Sequence, residues 1–305
     1  SAQLNEKEMT RHAQEIVAEY ESYLSQNPSD ENALILFGKF LRKVGQEEHA
    51  AEYFLEADKI NPKLAVVKQQ LANFLIEKNR PVDAFPLLIL TIQLNPQEAV
   101  YHFQLGNFLF LFEKELVSEK IFTNLSAQSF MHRCFFEAKS LQPKNFDFQL
   151  RYAQSFFDYP DSNKSRALIA WKQIENNFPD RTKTERDYFK LCQAKVLLEL
   201  NRKEDASELI KTVSSNALKQ SKDFLLLKVR NSEKANSPTQ KKKKKSSFNW
   251  NHKNFIPSDP HLERLRKLTG RLIEEKMLSE LRSDAIKASY DQSGEIKLEL
   301  TNLPK

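Results

Sequence analysis

Proline recurs through the first 180 residues of this chain at a spacing near 34, and that period constrains the fold more than any other feature. Pro28, Pro62 and Pro96 stand 34 and 34 residues apart, and Pro143 and Pro179 extend the series at 47 and 36. Each follows a segment of helical apolar periodicity, as in Ile60-Asn61-Pro62, Leu94-Asn95-Pro96 and Leu141-Gln142-Pro143. Proline cannot continue a helical hydrogen-bond ladder and biases the residue before it away from the helical region, so each one predicts a helix end. A fixed period of this length points to stacked helical units, each burying its apolar face only against its neighbours.

Counting back from each proline shows what repeats. A small residue recurs in the first helix of each unit, at Gly38, Ala72, Gly106, Ala153 and Ala194. A large one follows three later, at Leu41, Leu75, Leu109, Phe156 and Leu197. In the second helix, Ala50, Ala84, Ala167 and Ala206 each precede by four residues a bulky apolar side chain, at Phe54, Leu88, Trp171 and Ile210. A spacing of four puts both on one helical face, and the small residues allow neighbouring helices to approach closely.

With these sites the chain resembles the tetratricopeptide repeat (TPR) family over residues 6 to 230. The resemblance implies an all-α fold, a right-handed α-solenoid of about five antiparallel helix pairs with capping helices over residues 1–230. The segment from Glu6 to Gln26 reads as the second helix of an incomplete first unit, and Asp223 to Val229 as a cap at the other end. There are departures from the family pattern. Leu34 fits the large apolar site that opens the first helix, whereas Lys68, His102, Gln149 and Lys190 do not, which marks those units as degenerate. The third unit carries 13 extra residues around Ser118 to His132, with Met131 in place of the expected alanine ahead of Phe135 and Ala138. A loop and a lengthened second helix both fit that insertion. The fifth unit lacks a terminal proline, which weakens its boundary near Val213.

Composition narrows the class. Five glycines against 40% hydrophobic and 29% charged residues argue against α/β enzymes with phosphate loops, which need cheap backbone freedom. Cys134 and Cys192 are too few and too far apart for a disulfide framework, which favours a reducing, cytoplasmic setting. No run reaches the roughly 20 apolar residues of a membrane span. Ser1-Ala2 without an initiating methionine fits methionine removal, an expression remnant or a lost targeting peptide alike. The net charge of +6 owes five units to the run Lys241, Lys242, Lys243, Lys244 and Lys245, so the rest is nearly neutral.

The expected function is that of a non-catalytic scaffold or adaptor for a protein or peptide partner, with no cofactor, no metal and no small-molecule substrate. Its concave groove would be lined by first-helix residues off the packing sites. These are Ile35, Lys39 and Arg42; Gln69 and Asn73; Phe103, Asn107 and Phe110; Leu150, Gln154 and Phe157. The resemblance implies that Asn73 and Asn107 hydrogen-bond the backbone of a bound peptide. Some relatives clamp a carboxylate with clustered basic residues, but Lys39, Arg42 and Arg151 are scattered here and such a clamp is not expected. His132 and Cys134 lack a second ligand pair for a metal. Ser258, Asp259 and His261 fit a helix start better than a catalytic triad, which is a matter of geometry.

Residues 231–257 shift to Ser, Asn, Lys and Pro, which predicts a flexible tether. Its lysine run, with Phe248, Trp250 and Phe255 downstream, supports an alternative function in which a basic tail contacts nucleic acid phosphates or an anionic membrane. Residues 258–305 predict a C-terminal helix and tail. Asp259 is the expected N-cap, Pro260 opens the first turn, and Leu262, Leu265, Leu268, Leu272, Met277 and Leu281 form an apolar stripe interrupted at Gly270. A tether of about 27 residues reaches about 30 Å, enough for this helix to dock on its own solenoid. Glu295 to Leu300 alternates with period two and fits a strand, though without an evident pairing partner.

Overall fold

Helix starts and stops follow the sequence signals closely. The computed structural model describes residues 6–234, 286–290 and 296–300. The chain divides into two compact units, Ser1–Phe130 with Asp259–Lys305, and Met131–Ser258. The first holds α1 (Glu6–Gln26), α2 (Glu31–Lys43), α3 (Glu47–Ile60), α4 (Ala65–Glu77), α5 (Pro81–Leu94), α6 (Ala99–Leu111) and α7 (Glu113–Ser118). α8 (Asn124–Leu141) crosses the division. The second holds α9 (Phe146–Asp158), α10 (Lys164–Asn177), α11 (Lys183–Glu199), α12 (Lys203–Lys211) and α13 (Lys219–Lys234). The repeat region is an α-solenoid of helix pairs, as the period predicts.

Each proline of the series lies two residues beyond a helix end, after α1, α3, α5, α8 and α10. Several starts are capped by side chains, with Asp30 accepting from the Ala33 N–H, Asn145 from those of Asp147 and Phe148, and Asn163 from that of Arg166. Thr182 and Glu185 form a reciprocal capping box at the start of α11. The turns within three of the pairs share one geometry. Gly45, Asn79 and Asn201 take φ of 85°, 56° and 59°. The next N–H then reaches back to the helix, Gln46 to the Leu41 carbonyl, Arg80 to that of Leu75 and Arg202 to that of Leu197, at 2.8–2.9 Å. This left-handed closure satisfies carbonyls that a helix end leaves orphaned, and glycine and asparagine adopt it most readily.

The small and large sites of the repeat are all buried. Gly38 shows why a small residue is needed: a Cβ there would lie 2.7 Å from Phe54 Cε1, and Phe54 is itself fully buried. Gly38→Ala is therefore expected to lower stability by about 1–3 kcal/mol, and the same change at exposed Lys43 by less than about 0.5, read from urea midpoints at constant slope.

The sites that read as degenerate have specific polar partners. Lys68 is fully buried, and its amine lies 2.7 Å from Asp58 Oδ1 on the preceding helix. His102 Nε2 donates to the Pro96 carbonyl at 2.9 Å, and Gln149 Nε2 to the Pro143 carbonyl at 3.0 Å. In both, the side chain satisfies the proline that ends the unit before. Burial raises the Asp58 pKa while Lys68 lowers it. Breaking such a pair from one side leaves a buried charge, so Lys68→Met should cost about 3–5 kcal/mol, and adding Asp58→Leu should recover most of that loss. Equal melting points for single and double variants would show the pair to be uncoupled.

Elsewhere the structure departs from the sequence reading. The insertion in the third unit is neither a plain loop nor simply a longer helix, but the six-residue α7, a turn at Lys120 and an 18-residue α8. At the end of the fifth unit, Asp187 stands in for the missing proline, its Oδ2 accepting from the Ser214 and Ser215 N–H groups at 3.0 and 2.8 Å. The closing helix α13 is longer than the expected cap and runs to Lys234, into the start of the expected tether. The tail strand does have a partner: β1 (Ile286–Tyr290) pairs antiparallel with β2 (Ile296–Leu300) and runs beside α3. The leucine-striped segment with its cap Asp259, and Lys241 to Lys245, lie outside the described residues. Among the described residues, no helix is long and apolar enough to cross a membrane.

Candidate functional site

First helices supply the candidate face of each unit. In the first unit, α4 and α6 are joined by a ladder of amides. Gln69 Nε2 donates to Gln104 Oε1 at 2.7 Å, and Gln104 Nε2 donates to Asn73 Oδ1 at 2.7 Å. This fixes the Asn73 side chain with its carbonyl occupied. One unit further, Asn107 is 3% exposed and its Nδ2 has no hydrogen-bond partner. A buried amide donor without an acceptor costs roughly 1–3 kcal/mol. Phe103 and Phe110 are half-buried on the same helix.

Arg42 is not a free cation. Its Nη1 donates to Gln70 Oε1 at 2.6 Å and its Nη2 to Glu77 Oε1 at 2.8 Å. Lys39 is exposed and Ile35 is buried. The first unit therefore offers amides and aromatic surface, with Lys39 exposed.

In the second unit the predicted residues are more deeply placed. Leu150 and Gln154 are buried, and Gln154 Nε2 donates to the Tyr188 hydroxyl at 3.4 Å. Phe157 stacks on Trp171 with centroids 5.8 Å apart. Arg151 pairs with Asp158 at 2.8 Å and lies over the Phe135 ring at 4.2 Å. The sequence reading missed Lys195, whose amine sits 3.6 Å from the Phe157 ring centroid. Lys195 follows Ala194 as Asn73 follows Ala72 and Asn107 follows Gly106, so extending the same register by one unit would have found it.

His132 proves to be a packing residue. Nδ1 and Ser155 Oγ are 2.7 Å apart, and the ring packs against Tyr152 and Phe156 with centroids 5.1 and 4.4 Å away. Cys134 and Cys192 are separate buried thiols, and burial pushes the Cys192 thiol up to about 12. Among the described residues, no group of three or more His, Cys, Asp or Glu is placed to hold a metal ion.

Burial, reinforced by Arg151 and Arg166, lowers the His132 pKa from 6.5 to about 4. Between those values the unfolded chain binds a proton that the folded one refuses. The stability is thus fully present above pH 6.5 and is lost as pH falls towards 4, by at most about 3 kcal/mol. Denaturant midpoints at pH 7.5 and 5 are expected to diverge for the parent and to diverge measurably less for His132→Gln.

No protein-family model and no curated protein matches the sequence. Solved structures do. YrrB, described as a TPR protein with an unusual peptide-binding site, superposes with a TM-score of 0.50 at 12% identity, covering 70% of this chain and 97% of its own. MamA follows at 0.43 and 14%, covering 57% and 86%. PilW, described as a widely conserved type IV pilus biogenesis factor, gives 0.43 and 15%, covering 72% and 92%. At 12% identity the likeness to YrrB speaks to fold alone, and this chain has the fold of a TPR protein.

Proposed function

We propose that this chain is a non-catalytic scaffold that binds a peptide or helical segment of a partner along the first-helix face of its repeats. The observation that carries the reading is the Gln69–Gln104–Asn73 ladder, which presents amide donors at Asn73, beside the unsatisfied Asn107 and the half-buried Phe103 and Phe110. Donors spaced along neighbouring helices suit the carbonyls of a bound backbone, and the aromatic surface suits its side chains. The peptide-binding description of YrrB agrees with this use of the fold. Docking of the leucine-striped segment 258–285 on the same chain belongs to the reading too, supported by β1 beside α3, which brings the chain that follows it back to the repeats. Two separate buried thiols support a reducing, cytoplasmic setting.

Asn73→Ala combined with Asn107→Ala is expected to weaken an isolated partner at least tenfold in titration calorimetry, while Asn107→Ala alone leaves the melting temperature unchanged or raised and Asn73→Ala, which unpairs Gln104, lowers it. Unchanged affinity would move the site off this face. Binding that instead tracks the lysine run and collapses steeply with salt would favour nucleic acid or an anionic membrane.

A further inference from the structure

The incomplete unit headed by α1 has an open side. Twelve and five residues before the proline that follows a second helix stand Ala50 and Ala57, Ala84 and Thr91, and Ala167 and Ile174. None of these is more than 2% exposed, and the equivalent pair in α8 is buried too. In those units a first helix packs on the second, as α2 on α3 and α4 on α5. In α1 the same two positions carry Ile16 and Tyr23, which are 37% and 48% exposed. Tyr20 stacks on Phe37 and Leu24 is buried, so a neighbouring edge of α1 holds it to α2. A second surface opens on the same space. Two residues before the small site of a first helix, Gln70 meets Arg42 of α2 and Gln104 meets Asn73 of α4, so this position faces the first helix of the preceding unit. Its counterpart in α2 is Leu36, 55% exposed. Ile16, Tyr23 and Leu36 thus mark the place of a first helix, which none of the described residues occupies.

The sequence after the repeats has the pattern of such a helix. Leu262, Leu265, Leu268 and Leu272 share one helical face, and Gly270 is followed three residues on by Ile273, as Gly38 is by Leu41. β1 begins at Ile286 and runs beside α3, in the same compact unit as α1 and α2. The 12 residues between Ile273 and Ile286 span up to about 40 Å when extended, ample to pass from α3 to helices packed about 10 Å apart. We infer that residues 260–281 supply the missing first helix, their leucine face against Ile16 and Tyr23 of α1 and Leu36 of α2, so that a segment after the repeats completes the unit that opens them. This rests on the part of the scaffold reading that returns 258–285 to its own chain, and it names where the segment goes. A leucine stripe fits these three apolar positions better than it fits the amides of Gln69, Asn73 and Asn107.

Amide hydrogen exchange of the full chain, read by mass spectrometry, provides the test. Peptides spanning 262–281 should be protected in the parent at every protein concentration. Ile16→Asp with Leu36→Asp, both at exposed positions, should lower that protection by about tenfold or more while α4 and α5 keep theirs. Reciprocally, Leu265→Asp with Leu272→Asp should speed exchange in α1, and Phe103→Ala, on the candidate face of α6, should leave 262–281 protected. Protection lost in Phe103→Ala but kept in the Ile16 and Leu36 variant would place the segment in the groove and overturn this inference while its return to the chain stands. Protection that grows with protein concentration would mean docking on a second copy, and unchanged exchange of α1 in the leucine variant would mean no contact there; either overturns the inference. Exchange in 262–281 as fast as in the lysine run would refute the return itself and this inference with it, leaving partner binding to the asparagine variants.

Discussion

Close approach of two helices over a residue with little or no side chain is the contact on which the repeat region rests. Phe54 closes over Gly38 so tightly that even a methyl group has no room, and Ala72, Ala153 and Ala194 hold the corresponding sites with the least possible bulk. A solenoid has no single core in which an error can be absorbed elsewhere; each unit is stabilised by its own pairing and by its immediate neighbours. The large residues at Leu41, Leu75, Phe156, Trp171 and Ile210 fill the remaining space, and all are buried.

Polar groups finish what the apolar contacts begin. Amide, imidazole, carboxylate and amine side chains are found at unit boundaries, where a helix end exposes carbonyls and N–H groups that must find partners. His102 and Gln149 serve successive prolines, Asp187 serves the turn that lacks one, and Gln104 ties the faces of α4 and α6. The amide ladder in the first unit and Lys195 over Phe157 in the second therefore differ in kind: one is a set of neutral amides, the other an ammonium over an aromatic face.

The period, the helix ends and the packing sites were legible in the sequence because each depends on one residue type at a fixed offset. Proline two residues past a helix needs no tertiary information. The polar residues at Lys68, His102 and Gln149 read as degeneration because their partners lie across a turn, and nothing in Lys68 itself reveals that Asp58 waits on the preceding helix. The partner of the strand at 296–300 was missed for a similar reason: Ile286 to Tyr290 alternates too, but it is short and pairing is fixed by the register between strands. Of the candidate face, residue positions followed from the repeat, but burial did not. Ile35, Leu150 and Gln154 occupy the same register as their half-exposed counterparts and are closed off by local packing.

The Lys68–Asp58 pair also bears on how such an array can change over generations. Repeat proteins gain and lose units when a stretch of one period is duplicated or deleted, and a uniform apolar interface tolerates either event because every neighbour is interchangeable. Here removal of a single 34-residue period would set His102 where Lys68 stands, leaving Asp58 buried opposite an imidazole already committed to a proline carbonyl. Duplication would ask for a second complementary pair. The ion pair thus gives this stretch of the array a fixed order, which an exchange of whole units would break.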